Sequence, residues 1–107
     1  MTVLAVLTNL PDSESAFNLA RELIARRVAA CVNVLPASTS FYRWQGKPEE
    51  APEHPVLVKT TLETYPALEA AIRELHPYEL PEIIAWPVTA GLPEYLQWVE
   101  AESRPDG

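Results

Sequence analysis

The sequence predicts an α+β domain of order β-α-β-β-α-β with a closing helix, and three features predict it. Short runs of strand length, rich in apolar residues, fall at residues 3–8, 29–35, 56–61 and 82–88. Two intervening segments, 13–28 and 64–75, repeat their apolar residues at helical spacing. Prolines, eleven in all, gather where these segments meet. This order is that of the ferredoxin-like split βαβ arrangement.

Each element has its own justification. Val3 to Thr8 is an apolar run that stops at Asn9-Leu10-Pro11-Asp12, a turn with Asp12 or Ser13 as N-cap of the first helix. In that helix Phe17, Ala20, Ile24 and Val28 form the expected inward stripe, which Leu19 and Leu23 broaden. Ala29 to Leu35 is the next strand, and Pro36 removes a ladder donor, so the strand bends there. Ser38 to Trp44 alternates, with Ser40, Tyr42 and Trp44 on one face and Thr39, Phe41 and Arg43 on the other. Aromatics on both faces call for two covering partners, one of which could be another subunit. Gln45 to Pro55, with Gly46, Pro48, Pro52 and Pro55, reads as a mobile turn or loop.

Val56 to Thr61 follows as a strand, and the second helix presents Tyr65, Leu68, Ile72 and Leu75 on one face. Pro77 and Pro81 punctuate the approach to the strand 82–88. Pro93 opens a last helix with Tyr95, Leu96 and Val99 turned inward, and 103–107 is expected to fray. Two helices on one face of an antiparallel sheet leave its other face bare. Burying that face is the central physical demand of the chain, and oligomerisation meets it.

At 107 residues the chain fits one domain, 1–107. Its 48% apolar content suffices for a core without a disulfide, and the single cysteine, Cys31, cannot make an internal one. That cysteine usage, and the lack of an export or membrane-spanning segment, predict a cytoplasmic protein. A net charge of −7 with one tight basic pair, Arg26–Arg27, argues against nucleic acid. The prolines, and six arginines against two lysines, hint at a thermophilic source. Catalytic constellations are absent or weak: the only glycines are Gly46, Gly91 and Gly107, and His54 and His76 are the only histidines. A non-catalytic role is the expectation.

The segment His76-Pro77-Tyr78-Glu79-Leu80-Pro81-Glu82 is the most distinctive in the chain. With Ala30 to Asn33, Ser40 to Gly46, Lys59-Thr60 and Tyr95 to Trp98, it resembles the CutA divalent-cation tolerance family in register across residues 3–99. The resemblance implies a ferredoxin-like fold assembled as a homotrimer, similar in architecture to the PII signalling proteins. It also implies a role in tolerance of copper or another divalent cation, and no enzymatic activity. Family members credited with copper binding tend to carry a second histidine just before the one at His76 and a cysteine near the end of the first strand. Here those places hold Leu75 and Thr8.

His76 is accordingly the leading metal candidate, with Glu79 and Glu82 as oxygen donors and Cys31 as a possible Cu(I) ligand if it is exposed near a subunit boundary. One histidine where a specific site wants three or four ligands implies weak binding of copper or another divalent cation. His76 equally suits a structural place at the end of the second helix, and Cys31 that of a small buried apolar residue. Lys59 shares a strand face with Leu57 and Thr61 and must reach an edge or meet a carboxylate. Two readings of it stand: an anion or partner contact in an inter-subunit cleft with Tyr78 and Glu82, as in a PII-like sensor or scaffold, or an ion pair across the trimer interface. Tyr42, Trp44 and Trp98 are assigned to that interface, and Asn33 to hydrogen bonding within the sheet or across subunits.

Overall fold

The computed structural model describes residues 1–106. In chain order the elements are β1 (Val3–Leu10), α1 (Ser13–Ala25), β2 (Cys31–Val34), β3 (Ser38–Trp44), β4 (Lys47–Thr61), α2 (Tyr65–Leu75), β5 (Ile84–Pro87) and α3 (Pro93–Glu102). The sheet is antiparallel and ordered β2-β4-β1-β5, with β3 pairing the other end of β4. This is the α+β class expected from the sequence, with one strand more between the first two helices because β2 and β3 are separate.

Strand alternation separates the two faces of the sheet. Leu4, Val6, Leu10, Val56 and Val58 point to one side and are buried with Ala16, Leu19 and Leu23 of α1 and Leu68, Ala71 and Ile72 of α2. Val3, Ala5 and Thr61 point to the other, where α3 lies against β1 and β4 and keeps them buried. Beyond the reach of α3 that outer face is uncovered: Leu7 and Leu57 are half-buried, and Ile84 and Trp86 are exposed. The bare face expected from the element order is therefore present, with α3 closing one end of it.

Several expectations change. Residues 45–55 are not a loop. Gln45 and Gly46 alone make the turn, both with positive φ (50° and 81°), and residues 47–53 run back along β3 in register from Trp44↔Lys47 to Ser38↔Glu53. Two successive residues at positive φ give a primed turn whose twist suits a hairpin. Pro48 and Pro52 are an even number of residues apart, so their missing N–H groups fall on one side of the strand. The ladder to β3 survives because that side is the open edge.

The inward stripe of α1 is Ala16, Leu19 and Leu23, whereas Phe17 and Ile24 are about half exposed. The helix also ends earlier than its apolar spacing suggested. Arg27 takes a left-handed φ of 60°, and Val28 is buried from the loop beyond. In α3, similarly, Val99 is buried, Leu96 half-buried and Tyr95 39% exposed. Ser103, finally, is anchored rather than frayed. It is buried, its N–H donates to Val99 O (3.0 Å), and its carbonyl accepts from the Thr64 hydroxyl (2.6 Å). The last residue of the expected tail, Gly107, lies outside the described residues.

The α1 packing gives a direct test. Leu23→Ala should cost about 2–5 kcal/mol, because it opens a cavity in a closed core, whereas Phe17→Ala should cost about 0.5 kcal/mol or less. Urea unfolding of both variants at one protein concentration checks the order, and a costlier Phe17→Ala would refute the assigned helix face.

Candidate functional site

The distinctive segment after α2 is held by its histidine. His76 caps α2 at its C-terminus, with its backbone N–H on Ile72 O at 2.8 Å. Its ring is buried and makes two bonds. Nε2 lies 2.7 Å from Asn9 O, and Nδ1 lies 3.1 Å from the backbone nitrogen of Tyr78. A carbonyl can only accept and an amide N–H can only donate. Nε2 therefore carries the proton, and Nδ1 is the bare acceptor. The ring so joins the end of β1 to the start of the 77–82 segment, and the His76 and Tyr78 rings lie 4.8 Å apart. Burial pushes the imidazole below its ordinary value of 6.5, outweighing the Asn9 carbonyl and the charge of Glu53, which act the other way.

Between this segment and the β3–β4 hairpin lies a cleft of about 640 Å3. Ser40, Tyr42 and Trp44, the alternating face of β3 read from the sequence, form one wall. Tyr78, Glu79, Leu80 and Glu82 form the other, and Glu53 and Asn9 lie between. Glu82 accepts from the Asn9 side-chain amide (3.1 Å), and Glu53 accepts from the Tyr78 hydroxyl (3.0 Å). Burial first, then that bond to Glu53, pushes the Tyr78 phenol up to about 12. Glu53 is only 9% exposed.

Within the single chain Tyr78, Glu79 and Glu82 line one cleft, and Lys59 does not line it. Lys59 projects from β4 on the outer face of the sheet and donates to Asn33 Oδ1, which also meets the Cys31 thiol at 3.7 Å. Among the described residues no carboxylate pairs with it. Burial, and then the neighbouring Cys31, raise the Tyr95 phenol above its usual range. Cys31 is half-buried rather than enclosed. The expected metal set is likewise divided, since Cys31 belongs to this outer group and His76 to the cleft side. Among the described residues no three His, Cys, Asp or Glu side chains come together as a metal-holding group. With both His76 nitrogens also committed, the residues of a single chain do not fit a resident metal. Tyr42, Trp44 and Trp98 are all exposed on the single chain, the first two on the cleft wall and Trp98 beside Tyr95, ring centroids 5.6 Å apart. Asn33 is exposed and bonds within the sheet.

Glu53 was hidden by reading 45–55 as a loop. Had Gln45-Gly46 been taken as a hairpin turn, register would have set Glu53 opposite Ser38, on the Ser40–Tyr42–Trp44 face. Asn9 carried no signal, since its role comes from a carbonyl and an amide brought near residues about seventy positions away.

With this geometry in place, known proteins decide the family. The family model described as CutA1 divalent ion tolerance protein matches residues 4–102. The chain belongs to that family. It is 47% identical over 94 residues to the divalent-cation tolerance protein CutA of Thermus thermophilus, covering 88% of this chain and 91% of that one. It is 44% identical to the mouse protein CutA over 92% of its own length, but spans only 55% of that protein. A solved Thermus thermophilus structure, titled as a divalent cation tolerance protein, superposes with a TM-score of 0.93 at 43% identity, covering 95% of this chain and 99% of that one. Family members carry the name of tolerance proteins, not of enzymes. No helix among the described residues is long and apolar enough to cross a membrane.

The state of His76 yields a pH prediction. Its folded value lies below the 6.5 of an unfolded histidine, so the unfolded chain takes up the proton first on acidification. The stability tied to a neutral His76 should be whole above about pH 6.5, fall as the pH drops toward the folded value, and level off below it. A ring titration by NMR should place the His76 midpoint under 6.5, and a midpoint above it would contradict the buried neutral ring.

Proposed function

We propose that the chain serves divalent-cation tolerance as a cytoplasmic homotrimer of PII-like architecture, with no covalent chemistry of its own. The observation that carries this reading is the uncovered outer face of the sheet. Leu57 is half-buried there, Ile84 and Trp86 are exposed, and the β3–β4 hairpin adds Phe41, Tyr42 and Trp44, exposed over both its sides. An apolar face this continuous, with aromatics at its rim, has the composition of an interface core. A trimer also brings Trp98, Asn33 and Lys59 of each copy toward another. Family membership and the names of the relatives support the cation role.

Contact with copper or another divalent cation is assigned to the exposed carboxylates Glu79 and Glu82, with His76 holding their loop in place rather than acting as ligand. Ungrouped oxygen donors make that contact weak and unselective. A second reading, an inter-subunit site for a small anion or partner loop, is favoured by Lys59, whose ammonium has an amide oxygen but no carboxylate beside it.

Sedimentation should give a species of about three times the 11.9 kDa chain mass at micromolar concentration, and a stable monomer would sink the proposal. Copper and zinc should raise the melting temperature only at high concentration. The rise should shrink in a Glu79→Gln/Glu82→Gln variant. Submicromolar copper affinity lost in His76→Ala would instead make His76 a true ligand. A rise with a small anion, abolished by Lys59→Ala, would favour the second reading.

A further inference from the structure

The two histidines of the chain differ in what their rings leave free. Both nitrogens of His76 are bonded inside the chain. His54 makes one bond, with its Nδ1 lying 3.1 Å from Leu35 O. A carbonyl can only accept, so Nδ1 carries the proton of the neutral ring and Nε2 keeps its lone pair. Among the described residues Nε2 has no partner, and it is not shut away from solvent. The ring itself is half-buried and held by Leu35.

The fold sets a carboxylate near this nitrogen. His54 pairs with Leu10 across β1 and β4, so its side chain lies on the helix side of the sheet with Leu10, Val56 and Val58. That side is opposite to the outer face assigned to contact between subunits. Two residues past Leu10, Asp12 caps α1, its Oδ1 accepting from the Ser15 N–H at 2.7 Å. Asp12 is exposed, and among the described residues its Oδ2 accepts no hydrogen bond. The Ser15 bond holds the Asp12 carboxyl below its ordinary range, and the neighbouring His54 adds to this. Each donor is held by the backbone, the imidazole by Leu35 and the carboxylate by Ser15.

We infer that His54 is a contact for copper(II) and other divalent ions that favour imidazole, bound at Nε2, with Asp12 supplying a carboxylate oxygen and water the remaining positions. Neutral imidazole suits copper, nickel and zinc, and copper(II) binds most tightly among the divalent first-row metals. Magnesium and calcium prefer oxygen. Two protein donors make an exchangeable contact and not a resident centre, in keeping with the lack of any grouped three His, Cys, Asp or Glu side chains among the described residues. The inference goes beyond the proposed contact at Glu79 and Glu82, shares no residue with it, and requires neither that contact nor the trimer.

Titration of the full chain with copper(II) and with zinc, followed by NMR of the histidine rings and backbone amides, tests it, with magnesium at matched ionic strength as the control. Copper, being paramagnetic, should bleach the His54 ring ahead of the His76 ring, together with the amides of Asp12 to Ser15. Zinc should shift the His54 Nε2 resonance, and magnesium should leave it in place. His54→Gln should remove the early bleaching. Asp12→Asn keeps a good cap on α1 and should weaken copper by about twofold to fivefold. An equal response to magnesium, a zinc shift on a His76 nitrogen instead, or copper bleaching that is strongest at residues 77–82 and persists in His54→Gln would each overturn the inference. If His54→Gln does not fold, the zinc shift in the unaltered chain and the Asp12→Asn affinity decide it. Bleaching that starts at His54 and is unchanged in Glu79→Gln/Glu82→Gln would support this contact and sink the one at Glu79 and Glu82.

Discussion

The rest of the molecule depends on β4 being one unbroken strand. Over Val56–Lys59 it is an interior strand with β2 on one side and β1 on the other, and over Lys47–Glu53 it is one arm of a hairpin with β3. Because β4 runs continuously, the side-chain alternation of the core sets what happens at the hairpin. Val56, Val58 and Thr60 are locked inward, so Leu57 and Lys59 must face out. Glu53 then falls at the crossing of hairpin and sheet, where the 77–82 segment covers it. The cleft and the outer polar group are two consequences of one strand.

His76 sets the second half of the geometry. Its ring links Asn9 at the end of β1 to Tyr78, so the segment after α2 cannot swing freely from the sheet. A doubly bonded neutral imidazole specifies both position and tautomer, which a charged ring could not do here, since the Tyr78 amide needs an acceptor. The Tyr78 hydroxyl then reaches Glu53 across the cleft. A residue type that suggests a metal ligand is thus used as a structural joint, and the loop it fixes carries the exposed carboxylates.

Much of the fold was legible in the sequence because its elements obey period and punctuation. The α2 stripe of Leu68 and Ile72, the bend at Pro36 and the bare outer face followed from spacing alone. What escaped was decided by effects that composition does not encode. Pro48 and Pro52 resemble loop residues until their shared phase along a strand is counted. Phe17 and Ile24 satisfy a helical repeat as well as Ala16, Leu19 and Leu23 do, and contact with the sheet chose the second set. Tyr78 and Glu82 were singled out from residue type and motif, and Tyr42 and Trp44 were assigned to a subunit interface. Glu53 and Asn9 were not singled out, because each acquires its role from partners far away in the chain. Strand phase placed Lys59 on the outer face, since it fixes the face and not the position along the strand.

The unmet demand of the single chain is apolar cover for its outer face. That demand is non-directional, so any well-shaped apolar surface reduces the exposure of Ile84 and Trp86. Glu53 is a different case, because its place is polar and directional: one carboxylate oxygen takes the Tyr78 hydroxyl, and the side chain borders the cleft. A partner that narrowed the cleft would have to bring a donor to Glu53 wherever it excluded water, whereas cover for the sheet face asks only for shape.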